Sequence, residues 1–149
     1  MKIFLATVLV AFFASLLSAL LADAYLTERI TILGSFVGLQ LSHNRGVAFG
    51  VAIPEPWQSI FIAAALLLLL RMALHEARDT PKAIGFGLIL GGALGNIADR
   101  LGDGLVTDYV QVGSFPIFNA ADSFVTIGVA LLLLHPLIEY MRMQALRRD

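Results

Sequence analysis

The stretch AIGFGLILGGALGNIADRL, residues 83–101, decides how the rest of the chain reads. It carries no charge before Asp99, and its length approaches the roughly 20 residues a helix needs to cross a ~30 Å hydrocarbon core. Gly87, Gly91 and Gly95 recur every fourth residue and fall on one helix face, where small side chains let another helix come close. Packing within the chain is the expected use of that face, because other apolar segments are at hand. The end of the stretch is polar: Asn96 stands three and four residues before Asp99 and Arg100. Ionisable groups at the edge of a bilayer are costly and face a protein interior or a wet cavity. Simple anchoring of the helix at the interface is the plainer alternative.

Three more apolar runs lie on either side, at residues 3–22, 57–70 and 124–140. The second is short and is expected to recruit part of residues 51–56 or to sit in locally thinned membrane. The composition agrees: 58% hydrophobic and 14% charged residues, against about 25% charged in soluble domains. Mean hydropathy is +0.85. The expected fold is an all-α polytopic membrane protein with four transmembrane helices, near residues 3–22, 55–72, 83–101 and 123–141. Residues 1–149 form one domain on this reading. Ala22-Asp23-Ala24 has the look of a signal cleavage site. The run before it exceeds the roughly 7–15 apolar residues of a secretory signal, so a retained span is expected.

Basic residues orient the spans. Lys2, then Arg71, Arg78 and Lys82, then Arg142, Arg147 and Arg148 occupy the N-terminus, the connection between spans two and three, and the C-terminus. A four-span chain puts these on one side, which the positive-inside rule makes cytoplasmic. Residues 23–56 and 102–122 then face outward. Within them, Ile30-Thr31-Ile32-Leu33, Val37-Gly38-Leu39-Gln40-Leu41 and the run at residues 105–112 have strand character. A small extracytoplasmic β-sheet, a cradle at the membrane surface, is therefore expected beside the helices.

Several functions are disfavoured. A net charge of −1 leaves no basic footprint for nucleic acid. Cysteine is absent, and His43, His75 and His135 are scattered, which argues against thiolate chemistry, a histidine zinc site and a Ser-His-Asp triad. No metal or cofactor is implied.

What remains is a pair of acids at the outer edge. Asp108 lies in the extended run, and Asp122 follows fourteen residues later at the entrance of span four. Two carboxyl groups held together share a proton. The ionised one can take a proton from water attacking a peptide carbonyl, while the protonated one polarises that carbonyl and serves the leaving amine. Spacing alone leaves other readings open. Asn119-x-x-Asp122 also fits a helix N-cap with an acid in the first turn, and Asp108 also fits a solvated loop. Asn44 and Gly46, within His43-Asn44-Arg45-Gly46-Val47-Ala48-Phe49-Gly50, form either a segment that holds a substrate backbone or an ordinary turn.

Four blocks together resemble the lipoprotein signal peptidase (signal peptidase II) family. They are Asn44-Arg45-Gly46-Val47-Ala48-Phe49, Gly91-Gly92-Ala93-Leu94-Gly95-Asn96-Ile97-Ala98-Asp99-Arg100, Val106-Thr107-Asp108-Tyr109 and Phe115-Pro116-Ile117-Phe118-Asn119-Ala120-Ala121-Asp122-Ser123. The resemblance implies an aspartyl endopeptidase of the bacterial inner membrane. Such an enzyme removes signal peptides from diacylglyceryl-modified prolipoproteins, cutting N-terminal to the lipidated cysteine. It implies Asp108 and Asp122 as the catalytic pair, with Asn44, Gly46, Asn96, Asp99, Arg100 and Asn119 lining or bracing the substrate site. It further implies membrane lipid and the cyclic peptide inhibitor globomycin as partners, in a protein expected to be a monomer. One departure stands out: the family's Asp-Gln-x-x-Lys after span one reads Asp23-Ala24-Tyr25-Leu26-Thr27 here. A small transporter is the rival class, but it needs an ionisable group in mid-span, and the acids lie at span ends. A silent scaffold binding lipoprotein precursors is the other.

Overall fold

The computed structural model describes residues 1–45, 57–77 and 79–146. Seven elements follow in order: α1 (Lys2–Tyr25), β1 (Ile30–Leu33), β2 (Val37–Asn44), α2 (Trp57–Glu76), α3 (Thr80–Asp103), β3 (Val106–Val112) and α4 (Ala120–Leu146). Among the described residues, α1, α3 and α4 are long and apolar enough to cross a membrane. With its 20 residues, α2 is the fourth long helix, about 30 Å from end to end.

The helices are built for lipid. In α1 the buried positions are Phe4, Ala11, Ser15 and Ala19, mostly small and on one face. Leu5, Leu9, Val10, Phe13, Leu17 and Leu20 are exposed around the rest. In water that arrangement would expose a large apolar patch; in a bilayer, lipid tails solvate leucine as well as a core does, so large side chains face outward at no cost. The helix–helix contact then depends on close approach.

Glycines on α3 supply that approach on two faces. On one, a Cβ added at Gly91 would lie 2.5 Å from the Val8 carbonyl oxygen of α1, and one at Gly95 would meet Ser15. On the other, a Cβ at Gly92 would lie 2.6 Å from the Ala121 carbonyl oxygen of α4. Thus α3 is the central helix, and the glycines spaced by four pack against α1 of the same chain. Gly92→Ala is expected to destabilise the protein by about 1–3 kcal/mol, because the obstacle is backbone and cannot swing aside. Thermal unfolding in detergent checks this. Gly102→Ala, with nothing within 4 Å, is the control and should be neutral or slightly stabilising.

The ends of α3 are well marked. Asp79 caps its start, its Oδ1 accepting the Lys82 N–H at 2.8 Å, with Pro81 in the first turn. Gly104 closes it in the left-handed region (φ 82°) and turns the chain directly into β3. At the capped end, Phe4 of α1, Ala73 of α2, Ala77 just after it, and Ala83 and Phe86 of α3 form one cluster. The start of α1, the α2–α3 junction and the start of α3 therefore gather at the same end of the bundle.

The opposite end carries the sheet, antiparallel in the order β1-β2-β3. Gly34 (φ 53°) makes the β1–β2 turn. β2 runs on to Asn44, beyond the strand character visible in the sequence, because pairing with β3 continues: Ser42 faces Asp108, His43 faces Thr107 and Asn44 faces Val106. An irregularity between Leu39 and Ser42 separates these three rungs from the outer sheet. β1 is exposed throughout, whereas Val106–Tyr109 are buried against the helices. The sheet is thus anchored by β3.

Candidate active site

Three elements bring the acids together. Asp108 lies on β3 and is 3% exposed. After Val112 the chain reverses and returns, and Phe118 pairs with Val110: the Tyr109 and Val110 N–H groups both donate to the Phe118 carbonyl, at 3.0 and 2.7 Å. That closed hairpin delivers Asn119 next to Asp108 and starts α4 immediately afterwards. The Ala120 N–H donates to the Tyr109 hydroxyl at 3.1 Å, fixing the start of α4 to the strand.

Asn119 is the joint of the site. Its Nδ2 donates to Asp108 Oδ1 at 2.8 Å and to Asn96 Oδ1 at 3.0 Å. Its Oδ1 accepts the Asp122 N–H at 3.0 Å, and its own N–H donates to Asp122 Oδ2 at 3.4 Å. That reciprocal pair is a capping box in which the acid at the third helical position answers the cap. Capping and service in a site therefore coexist at Asp122, whose Oδ1 also accepts Asn96 Nδ2 at 2.9 Å. Asn44 Nδ2 donates to Asp108 Oδ2 at 3.1 Å. Each carboxyl group is held by neutral amides drawn from different elements.

Asp99 sits behind the pair. It accepts the Thr107 backbone N–H at 2.6 Å and the Thr107 hydroxyl at 3.3 Å, tying α3 to β3 one residue before Asp108. Arg100 lines the front, together with Asn44, Asn96, Asp108 and Asp122, in a cavity of about 760 Å³. Apart from Ser123 and Thr126 its other walls are apolar, among them Ile62 of α2, Ile97 of α3, Phe115, Phe118, and Val125 of α4. Burial pushes the Asp108 carboxyl up to about 6. The Asn44 hydrogen bond works against that rise, the negative field of Asp122 adds to it, Asn119 opposes it, and Asp99 adds to it again.

Of the residues singled out in the sequence, Asn44, Asn96, Arg100, Asp108 and Asp122 meet in the cavity, Asn119 bridges its acids and Asp99 braces it from behind. Gly46 lies outside the described residues. Sequence reasoning passed over Thr107 and Tyr109. Their signal was present, since polar side chains in a strand that is otherwise apolar must find partners when buried.

Fold and site define a polytopic membrane protein with one buried and one half-buried carboxyl group in a largely apolar cavity. The model of the signal peptidase (SPase) II family matches residues 6–138. The lipoprotein signal peptidase of Chlorobium luteolum is 36% identical over 121 residues, covering 72% of each chain. That of Neisseria meningitidis serogroup C is 36% identical over 129 residues, covering 80% of this chain and 79% of the other. A solved structure of a bacterial membrane enzyme superposes with a TM-score of 0.78 at 27% identity, covering 91% of this chain and 89% of that one. The chain belongs to the signal peptidase II family, a family of bacterial membrane proteases.

Proposed function

We propose that this protein is an aspartic endopeptidase that removes the signal peptide from diacylglyceryl-modified prolipoproteins, with Asp108 and Asp122 as its catalytic pair. The carrying observation is that both carboxyl groups line one largely apolar cavity and meet at Asn119, whose side-chain amide holds Asp108 and whose backbone N–H holds Asp122. The pair holds one proton. Its ionised member takes a proton from water as the oxygen attacks the scissile carbonyl carbon; its protonated member donates to the carbonyl oxygen. Collapse of the tetrahedral species breaks the C–N bond, and the proton gained from water passes to the leaving amine. Asn44, Asn96 and Asn119 fix the two carboxyl groups without a charge of their own, so the shared proton remains free to move. Asp99 and Arg100 brace or line the same site, and Gly46 belongs to it by resemblance.

The bilayer explains the substrate. Acyl chains on the modified cysteine stay in lipid, so the scissile bond sits near the membrane surface, at the depth of the sheet end of the bundle. Apolar walls accept acyl chain and signal peptide and raise the cost of two bare carboxylates. Residues 1–149 act as one unit, a monomer, and globomycin competes for the cavity. Lys2 and Lys82 start α1 and α3 at the end away from the sheet; that end is cytoplasmic, with both termini, and the acids face outward.

The test is cleavage of a diacylglyceryl-modified prolipoprotein by the purified protein in detergent. Cleavage N-terminal to the lipidated cysteine, unchanged by EDTA, is expected. No cleavage, with proton-coupled flux in liposomes instead, would leave the transporter standing. Since one proton must remain on the pair, kcat/KM should fall as pH rises through about 6, where Asp108 ionises. A rate that keeps rising through that range would contradict the shared proton.

A further inference from the structure

We propose that His43 is a positioning residue: clamped to Asp23 at the back of β2, it holds Asn44 against Asp108 at the front. The inference rests on Asp108 being catalytic.

Three observations carry it. First, His43 and Asn44 are consecutive in a strand, so their side chains leave opposite faces. Asn44 shares its face with Ser42 and Asp108, and His43 shares the other with Thr107. Second, β2 ends at Asn44, and the irregularity between Leu39 and Ser42 isolates the last three rungs. Asn44 is thus the terminal rung of a short ladder, the place where a strand frays. Third, His43 Nε2 lies 2.9 Å from Asp23 Oδ1 in the last turns of α1. A carboxylate oxygen only accepts, so Nε2 carries the proton and donates in both the neutral and the charged ring. One residue before the end of the ladder, the strand is therefore bound to a spanning helix.

The back of the sheet repeats this device on β3, where Thr107, opposite His43, is bound to Asp99 of α3. Asp23, Asp99 and Asp103 line a cavity of about 220 Å³ with Thr107. Two helix-borne acids thus grip, from behind, the two adjacent strand residues whose neighbours Asn44 and Asp108 form the front. The side chains of His43 and Asp23 are 39% and 57% exposed, so their pair adds little to global stability. What it sets is where Asn44 points.

The experiment uses the full chain in detergent and a diacylglyceryl-modified prolipoprotein. His43→Ala is expected to lower kcat about tenfold with KM unchanged, the scale of one misplaced hydrogen bond. It should also move the descending pH limb upward, as Asn44→Ala does, because losing the Asn44 hydrogen bond disfavours ionised Asp108. The acids acting on that limb are Asp108, Asp122 and Asp99. His43→Gln, which restores an N–H near the Nε2 position, should recover most of the rate. In an Asn44→Ala background the His43 substitution should cost nothing further. Wild-type kcat and pH limb in His43→Ala, or multiplicative losses in the double variant, would overturn the proposal. His43→Phe, which keeps the bulk without the donor, must give the same result and serves if the alanine variant does not accumulate. An inactive Asp108→Asn beside an unaffected His43→Ala sinks the clamp and spares the pair. An active Asp108→Asn sinks the pair itself.

Discussion

Asp108→Asn is expected to abolish cleavage and, at neutral pH, to make the protein harder to unfold. The first half follows from chemistry. A carboxamide neither takes a proton from water nor gives one to the amine, and losses of about 10³-fold or more are usual when one member of an acid–base pair is removed. Asp122→Asn should lose cleavage to a similar extent. The second half follows from burial. The folded state holds the Asp108 proton more tightly than the unfolded chain, since its carboxyl rises from 3.8 to about 6. Stability is therefore undiminished by this group below about pH 4 and is lost as pH climbs to 6, a cost of roughly 3 kcal/mol once both states are ionised. Asparagine removes that cost. It also meets two amide donors, from Asn44 and Asn119, with only one acceptor oxygen, an offset of about 1 kcal/mol. A net gain of about 2 kcal/mol at pH 7.5 is expected, turning into a deficit of up to about 1 kcal/mol near pH 4. Thermal unfolding at the two pH values measures it. A variant no more stable at pH 7.5 than at pH 4 relative to wild type would show that burial does not govern this carboxyl.

The other large effect is expected at Asn119, which is 3% exposed. Alanine deletes its bonds to Asp108, to Asn96 and to the Asp122 N–H while leaving its own backbone N–H in place. Loss of the cap costs about 1 kcal/mol. The stranded buried groups bring the total to roughly 2–4 kcal/mol. The rate should fall about 100-fold, because Asp108 loses the amide that ties its carboxyl to Asn96 and the start of α4. Asn119→Ser divides these roles. Serine caps a helix well but is too short to reach Asp108 and Asn96, so it should restore most of the melting temperature and little of the rate. If serine restores both, the bridge to Asp108 is dispensable.

The spans were legible because the bilayer magnifies an apolar signal: a run such as residues 3–22 has few other destinations. The glycines at 87, 91 and 95 announced a close helix contact through their period, and Ile30–Leu33 announced a strand. Asn44 was harder. It belongs to a strand only because Val106 pairs with it, and nothing in residues 43–50 mentions residue 106. The convergence of Asp108 and Asp122 was equally hidden in composition and spacing. It depends on Phe118 returning to Val110 and on one asparagine reaching both acids, which are matters of three-dimensional pairing. Resemblance of the blocks pointed to the pair; the geometry joins it to Thr107 and Tyr109, which a block contains without a role, and to His43, which stands just before one.

The hairpin between α3 and α4 also bears on how the protein matures in the cell. Both acids and two of the three asparagines that hold them come from residues 96–122, spanning the end of one helix and the start of the last. Asp122 follows Asp108 by only fourteen residues, so a nascent chain delivers the two acids close together, Asp108 first. The capping box is local to residues 119–122 and can form as the final helix starts, whereas the bonds from Asn44 and Asn96 need the sheet and α3 in place. The arrangement of the two acids is therefore completed by the packing of the last helix and not by any one segment.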